Sequence, residues 1–328
     1  MTGKDNKKIP LKWRLKAWWQ GYDIADLEKN MRQKEPGEIS KKPVQNPVQN
    51  PAQDTDEKSD QIDQKILWDY ERVKVTQLIW GEGFCGPGGE QNIIDMSKLL
   101  ALSPKMSAMV IGAGLGGPAR VLAKEFGVWI NAYESNQILA EEGMKISVTK
   151  GLDKKAPIIH NDLNAAPKFD RVFERAFSKE TLFTVENKTA LIQSIFDQLK
   201  DNSLFLISDY VVKNHDSLAN ADVIDWLKHE PLDPYPTTPE TLKYTLEKVG
   251  FQIRIHEDIT AQYLELIYQA WANAHEVVAL LAEGGEEGRK NMFAILNEAE
   301  LWNRRAKVMR SGELQIYRCL AHKAVQTE

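Results

Sequence analysis

Two kinds of hydrophobic pattern alternate along residues 66–328 and predict two kinds of element. Short apolar runs bounded by glycine, proline or polar residues predict buried strands. Between them, apolar residues recur at three- and four-residue spacing, which predicts helices packed against a core. The strands predicted in this way are 108–111, 128–133, 156–160, 173–178, 204–208, 251–256 and 314–320.

Helices are predicted in most of the gaps between these strands. Strands that alternate with helices are typical of a mostly parallel sheet with helices on both faces. The last strand follows a helix and the tight turn Ser311-Gly312, which favours an antiparallel hairpin at the sheet edge. The pattern therefore predicts an α/β fold with a mostly parallel seven-stranded sheet and an antiparallel last strand. The predicted helices are 66–78, 90–102, 118–126, 187–199, 238–249 and the region 259–309.

The first 64 residues lack this pattern. Residues 1–33 are rich in lysine and tryptophan, whereas residues 34–64 contain a four-residue repeat that begins with Pro43-Val-Gln-Asn. The repeat segment cannot bury enough apolar surface to offset its ordering entropy, and its prolines favour extended conformations. We predict a basic aromatic arm over 1–33 and a flexible linker over 34–64. The folded domain is predicted over 65–328.

Composition narrows the functional classes. The chain has 328 residues, of which 42% are hydrophobic and 27% charged, and its formal net charge is -5. These values are typical of a soluble globular protein and argue against a nucleic-acid-binding surface. No apolar stretch is long enough to span a membrane and the N-terminus lacks a signal-peptide core, so we expect a cytoplasmic protein. Cys85 and Cys319 are too few for a disulfide framework, the histidines lack metal-ligand spacing, and we predict no metal.

A glycine-rich turn, Gly112-Ala-Gly114-Leu-Gly116-Gly117, follows the first apolar strand and precedes a helix. In open parallel sheets such a turn lets a cofactor approach the backbone and the helix N-terminus. Glu134 lies 20 residues after Gly114 at the end of the next strand, where its carboxylate can accept hydrogen bonds from ribose hydroxyls. The pattern predicts an adenosine cofactor but leaves two classes open, a dinucleotide and S-adenosylmethionine.

Three further features favour S-adenosylmethionine over a dinucleotide. Asp162 and Leu163 follow the third strand, where an adenine amino group and ring face would lie. A second glycine cluster, Gly86–Gly89, stands ahead of the first strand, where its amides can meet an amino-acid carboxylate. The predicted terminal hairpin is also unlike the usual dinucleotide fold.

An ordered series of motifs carries a more specific resemblance over residues 65–328. The series resembles class I S-adenosylmethionine-dependent methyltransferases and, within them, the phosphoethanolamine methyltransferases. The resemblance implies a Rossmann-like fold with a helical flap (65–102), a cofactor-binding core (103–212), and substrate-side helical insertions and terminal strands (213–328). The motifs are Trp80–Gly89, Gly112–Gly117, Asn161-Asp162, Ser178-Lys-Glu180, Leu206–Tyr210 and Trp302–Arg305.

The same resemblance implies roles for individual residues around S-adenosylmethionine and its product, S-adenosyl-L-homocysteine. The methionine part of the cofactor would contact the turn. The ribose would contact Glu134, and the sulfonium region would contact Ser178. Asp162 and Leu163 would contact the adenine. The glycines implied in this way are Gly112, Gly114 and Gly116 in the turn, with Gly88 and Gly89 in a flap that closes over the cofactor.

The chain departs from this family where the substrate would bind. The family's histidine near the transferred methyl matches Thr184, and its tyrosine before the flap falls near Trp68 or Tyr70. Its phosphate-gripping arginine and tyrosine fall near Glu230 and Leu232, and an acid there would repel a phosphate. The resemblance therefore implies the reaction class, methyl transfer to a small-molecule or lipid-like substrate, but not the phosphobase substrate.

Residues at predicted strand ends are the candidates for acid–base chemistry. A neutral amine acceptor needs little more than placement, whereas a hydroxyl or carbon acid needs a base. The candidate catalytic residues are Tyr210, Glu180, Tyr70 and Asp209. Two other functions remain open: an NAD(P)-dependent oxidoreductase, and a non-catalytic nucleotide-binding module that regulates a partner. The 1–33 arm is suited either to weak membrane-surface attachment or to docking on protein, and the sequence does not indicate an oligomeric state.

Overall fold

A seven-stranded sheet runs through the described part of the chain, in the spatial order β3-β2-β1-β4-β5-β7-β6. Strands β1 to β5 pair in parallel, whereas β7 is antiparallel to both β5 and β6. The predicted fold class is confirmed, including the antiparallel last strand. The strands are β1 Ser107–Ile111, β2 Trp129–Glu134, β3 Ile158–His160, β4 Phe173–Lys179, β5 Leu199–Val212, β6 Gln252–Asp258 and β7 Leu314–Lys323.

The computed structural model describes residues 67–165, 167–169 and 171–325. The predicted arm (1–33) and linker (34–64) therefore lie outside the described residues. In the described part, no helix combines the length and apolar character that a membrane span requires. The helices are α1 Tyr70–Trp80, α2 Gly89–Ser97, α3 Gly117–Glu125, α4 Gln137–Thr149, α5 Lys188–Asp197, α6 Ala221–His229, α7 Pro239–Val249, α8 Thr260–Trp271, α9 Ala274–Ala282 and α10 Gly285–Arg310.

Two elements differ most from their predicted extent. Strand β5 continues to Val212, because residues Ser203 to Val212 pair without interruption with β7. The predicted helical region 259–309 divides into α8, α9 and α10. The last break lies at Glu283 and Gly284. Gly285, which begins α10, adopts a φ of +63°, a left-handed conformation that glycine tolerates best.

The core has two layers because successive residues of a strand point to opposite faces of the sheet. On β1, Met109 and Ile111 pack on one face with residues of α5 and α7. Ala108 and Val110 pack on the other face with residues of α2 and α3. All five residues of β1 are buried, as expected for a central parallel strand.

Parallel pairing aligns the carboxyl ends of the strands at one edge. Ile111 pairs with Tyr133 and with Ser178, so the segments that follow these residues emerge side by side. Lys179 pairs with Ser208, which brings the middle of β5 to the same edge. Because Asp209 and Tyr210 follow Ser208, they lie beside the end of β4.

Candidate active site

A cavity lies at this edge, between the glycine turn, the flap and α10. Two of its walls differ in composition. The turn wall consists of Gly112, Ala113, Gly114, Leu115, Glu134 and Leu163, and the charged wall of Arg72, Lys179, Glu180, Tyr210, Glu230, Glu298 and Arg305. The structure brings together six of the predicted catalytic and cofactor-binding residues: Gly112, Gly114, Glu134, Leu163, Glu180 and Tyr210. Four of the positions named as departures from the family also line the cavity: Trp68, Thr184, Glu230 and Leu232.

The turn wall needs glycine at its first position. Gly112 adopts a φ of +72°, and a Cβ there would lie 1.8 Å from Thr181 Oγ1. The backbone N–H groups of Gly112 and Ala113 both donate to the carbonyl oxygen of Tyr133, at 2.9 and 3.0 Å. The turn is thus folded tightly against the end of β2, and its next residues face the cavity.

Glu134 joins the turn to the end of β2. Its carboxylate is 7% exposed and accepts hydrogen bonds from Gly114 N at 2.7 Å and Asn136 N at 2.8 Å. Burial raises the pKa of Glu134, and the backbone hydrogen bonds oppose that rise. A carboxylate has about four acceptor positions. The backbone donors occupy only part of this capacity, so the carboxylate can accept a further hydrogen bond, as from a ribose hydroxyl.

The flap closes the cavity beside the turn. The N–H of Gly117 donates to Gly83 O at 2.8 Å, and Cys85 Sγ lies 3.3 Å from the position that a Cβ on Gly114 would take. Burial raises the pKa of the Cys85 thiol to about 12, so the thiol is protonated at neutral pH. Within the flap (65–102), the segment 83–87 lines the cavity together with Trp68, Arg72 and Ile93.

The charged wall contains three ion pairs, two of which join distant parts of the chain. Glu230 on the segment after α6 pairs with Arg305 on α10, through Nε and Nη2, each at 2.7 Å. Arg72 Nε on α1 donates to Glu298 on α10 at 2.9 Å, and Lys179 pairs with Glu180. Glu230 and Glu298 also accept hydrogen bonds from the indole N–H groups of Trp226 and Trp302.

Tyr210 presents a buried phenol to the charged wall. Its hydroxyl lies 2.8 Å from that of Tyr263, and its ring lies 5.3 Å from the Arg305 guanidinium carbon. Burial raises the pKa of Tyr210 well above its usual value. The phenol is therefore protonated at neutral pH and acts as a hydrogen-bond donor or acceptor rather than as an anion.

Glu180 holds an uncommon backbone conformation. Its φ is +56°, in the left-handed region where residues other than glycine are strained. Its N–H donates to Ser208 O at 2.7 Å, which anchors the turn after β4. This conformation allows the Glu180 carboxylate to line the cavity, beside Lys179.

Asp209 lies behind the cavity wall and does not line it. The carboxylate accepts hydrogen bonds from four backbone N–H groups, those of Thr181, Leu182, Phe183 and Tyr210. Burial raises the pKa of Asp209 to about 6 although these bonds oppose the rise. In this arrangement Asp209 fixes the backbone after β4, so its contacts are those of a positioning residue.

Several predicted cofactor contacts do not line the cavity. Gly88 caps the N-terminus of α2, and Gly89 is its first residue. A Cβ on Gly116 would lie 2.5 Å from Ile158 Cδ1, so that glycine serves close packing. Their contact with a cofactor remains a prediction.

Three further predicted residues, Asp162, Ser178 and Tyr70, also lie outside the cavity lining. Asp162 is exposed and accepts a hydrogen bond from Asn164 N. Ser178 is buried, and its hydroxyl makes no hydrogen bond within the described chain. Tyr70 is 57% exposed at the start of α1 and lies outside the cavity, whereas Trp68 lines it. The cofactor roles of Asp162 and Ser178 and the catalytic role of Tyr70 remain predictions.

The pairing of Arg72 with Glu298 was not predicted from the sequence. Within α10, Glu298, Trp302 and Arg305 fall at four- and three-residue spacing on the buried face. Charged residues on the apolar face of a predicted helix are costly unless paired, which is a signal for a polar cavity. The partner on α1 had no comparable signal. Among the described residues, no cluster of histidine, cysteine, aspartate or glutamate could hold a metal ion.

No protein-family model matches the chain. A phosphoethanolamine N-methyltransferase of Triticum aestivum is 25% identical over 221 residues, which covers 66% of this chain and 41% of that protein. A sterol 24-C-methyltransferase of Yarrowia lipolytica is 24% identical over 170 residues, covering 51% of this chain and 45% of that protein. The chain thus spans less than half the length of these curated relatives.

A solved structure extends the comparison to the fold. Haemonchus contortus phosphoethanolamine N-methyltransferase 2, in complex with S-adenosyl-L-methionine, matches with a TM-score of 0.66 and 18% identity. The match covers 77% of this chain and 57% of that one. These findings confirm the predicted Rossmann-like fold and the predicted resemblance to phosphoethanolamine methyltransferases.

Proposed function

We propose that this chain is an S-adenosylmethionine-dependent methyltransferase that acts on a small molecule. The cofactor would supply an electrophilic methyl group: the acceptor atom would form a bond to the methyl carbon as the bond from that carbon to the positively charged sulfur breaks, which leaves S-adenosyl-L-homocysteine. The acceptor atom, whether nitrogen, oxygen, sulfur or carbon, is not specified by this proposal. The relatives named above act by their names on both nitrogen and carbon.

The observation that carries the proposal is the position of Glu134. Its buried carboxylate is oriented by two backbone N–H groups and retains acceptor capacity toward the cavity. Gly114 supplies one of these N–H groups, so the glycine turn and the ribose-binding acid form one unit. Gly112 and Gly114 line the cavity with backbone that carries no side chain, which a cofactor can approach closely.

The charged wall supports the second half of the proposal. Its buried ion pairs and the Tyr210 phenol offer fixed donors and acceptors that can orient an acceptor in the cavity. Glu180 is the proposed proton acceptor for a hydroxyl or carbon acid, and Tyr210 the proposed hydrogen-bond partner of the acceptor. The flap residues 83–87 would exclude water.

Titration calorimetry of the full chain tests the cofactor class. We expect micromolar binding of S-adenosyl-L-homocysteine and no measurable binding of NAD or NADP. Binding of a nicotinamide dinucleotide alone would instead support the oxidoreductase. Binding of none of these ligands would contradict the methyltransferase proposal and favour a non-enzymatic module.

The proposal extends to location. We place the protein in the cytoplasm, with the 1–33 arm as a weak contact to an anionic membrane surface or to protein. Co-sedimentation with anionic liposomes, for the full chain and a variant that lacks residues 1–33, tests the membrane contact. Binding at low salt that disappears at high salt supports it, and no binding at low salt contradicts it.

A further inference from the structure

The Glu230–Arg305 pair occupies the position where the sequence predicted repulsion of a phosphate. Glu230 is 1% exposed and lines the cavity together with Arg305. The carboxylate takes the side edge of the guanidinium in a bidentate contact, through Nε and Nη2. Trp226 donates its indole N–H to the same carboxylate, which fixes its orientation. Glu230 therefore does not act as an isolated acid but neutralises a buried arginine.

One edge of Arg305 stays available. Its Nη1 makes no hydrogen bond within the described chain, while Nε and Nη2 contact Glu230. The guanidinium also lies 4.5 Å from the Trp302 ring centre, which restricts its orientation. A guanidinium carries five N–H donors in a fixed plane. Arg305 lines the cavity, and the Nη1 edge is the donor edge that its contacts with Glu230 leave unused.

The positive and negative charges of the charged wall balance one another. Three carboxylates, of Glu180, Glu230 and Glu298, accompany three cations, of Arg72, Lys179 and Arg305. Each cation has a partner among the three carboxylates. No cation of this wall is therefore left to balance a charged group of a ligand. A dianionic phosphate in such a site would lose its hydration without gaining a compensating charge.

We propose that this wall is an acceptor-binding subsite for an uncharged polar molecule, and that Glu230 is the residue that excludes phosphorylated acceptors. The free edge of Arg305 donates to an oxygen of the acceptor, and Glu230 cancels the charge that would otherwise attract a phosphate. The inference rests on the proposed function, because it names the substrate class of the same cavity.

A gain of anion binding tests this subsite without knowledge of the acceptor. The probes are inorganic phosphate and phosphoethanolamine, titrated calorimetrically into protein saturated with S-adenosyl-L-homocysteine. We expect no saturable binding to the unaltered chain at millimolar probe. Glu230→Gln removes the charge but retains an oxygen acceptor, so Arg305 becomes an unbalanced cation. We expect phosphate affinity to increase at least about tenfold, because a buried cation without a carboxylate partner attracts an anion more strongly than a solvated cation does.

Two further variants locate the effect. Asp225→Asn removes an exposed acid from α6, next to the same segment, and we expect it to bring no phosphate binding. The double variant Glu230→Gln/Arg305→Met is expected to lose the affinity that Glu230→Gln gains. Retained binding of S-adenosyl-L-homocysteine by each variant shows that the cofactor site is intact, which separates failure here from failure of the proposed function.

The outcomes decide the inference in either direction. Saturable phosphoethanolamine binding by the unaltered chain at micromolar or millimolar concentration overturns it, whether or not the variants fold. A folded Glu230→Gln protein with no increase in phosphate affinity also overturns it. Gain of phosphate binding in Glu230→Gln that depends on Arg305 supports it.

Discussion

The turn wall and the charged wall of the cavity are assembled in different ways. The turn wall spans residues 112–163. Its main hydrogen bonds run from backbone N–H groups of the turn to the Tyr133 carbonyl and the Glu134 carboxylate. The charged wall joins side chains up to 226 positions apart, as between Arg72 and Glu298. The turn wall thus depends on local backbone geometry, whereas the charged wall depends on how helices pack after the sheet has formed.

This difference implies a separation of tasks. In a wall made of glycine and backbone, few residues can be substituted, because an added side chain would fill the space that the ligand needs. A wall made by paired side chains can change its charge by single substitutions while the sheet persists. We expect variants of the turn wall to alter cofactor affinity and variants of the charged wall to alter acceptor recognition or stability.

The largest effect is expected at Gly112. An alanine there would combine a φ of +72° with a contact of 1.8 Å to Thr181, so Gly112→Ala should lower the free energy of unfolding by about 3 kcal/mol or more. Gly151→Ala is the control, because Gly151 has a φ of +66° but no atom within 4 Å of its Cβ position. Its expected cost is about 1 kcal/mol. Equal costs in urea denaturation would show that the contact with Thr181 is unimportant.

A pH-dependent effect is expected from Asp209, which supports the backbone beside the charged wall. Its pKa is raised from 3.8 to about 6, so the folded protein binds this proton more tightly than the unfolded chain does. The resulting stability is present in full below pH 3.8 and is lost as pH rises through 6, by about 3 kcal/mol. Urea denaturation of the unaltered chain and of Asp209→Asn measures this loss. The unfolding free energy of the unaltered chain minus that of Asp209→Asn should decrease as pH rises from 3.8 to about 6. A constant difference would contradict the raised pKa.

Cofactor affinity is expected to depend on Glu134. Glu134→Gln exchanges a charged acceptor for a neutral amide, so affinity for S-adenosyl-L-homocysteine should fall about 10- to 100-fold. Glu141→Gln, at an exposed position on α4, is the matched control and should leave affinity unchanged. Because burial raises the pKa of Glu134, affinity of the unaltered chain should also weaken with acidification as the carboxylate is protonated. Calorimetry that gives both variants the same affinity would remove Glu134 from the site.

The smallest effect on stability is expected at Tyr210. Tyr210→Phe leaves the Tyr263 hydroxyl without its buried partner, which should cost about 1–2 kcal/mol of unfolding free energy. Affinity for S-adenosyl-L-homocysteine should not change, because Tyr210 belongs to the charged wall. Methyl transfer from labelled cofactor to small molecules of a cell extract should decrease. Tyr244→Phe, at an exposed position of α7, is the control, and equal turnover in the two variants would exclude Tyr210 from acceptor recognition.

The sequence predicted the parts of the site that depend on local order. Gly112, Gly114 and Glu134 were found because a strand, a turn and a strand end follow one another within the chain, and each has a characteristic pattern. Tyr210 and Glu180 were found because they follow predicted strands. Asp209 follows one too, yet its side chain turns toward the backbone of the segment after β4 and not toward the cavity.

The tertiary structure alone decided the charged wall. Whether Glu230 repels an anion or neutralises an arginine depends on α10, which brings Arg305 to it across 75 positions of sequence. Hydrophobic periodicity specifies which face of a helix is buried, but not which residue of another helix it meets. The sequence thus determined the fold and the turn wall, because both follow from patterns between near neighbours. Packing of α1, α6 and α10 determined the net charge of the charged wall, because ion pairs form only between side chains that the packing of these helices brings together.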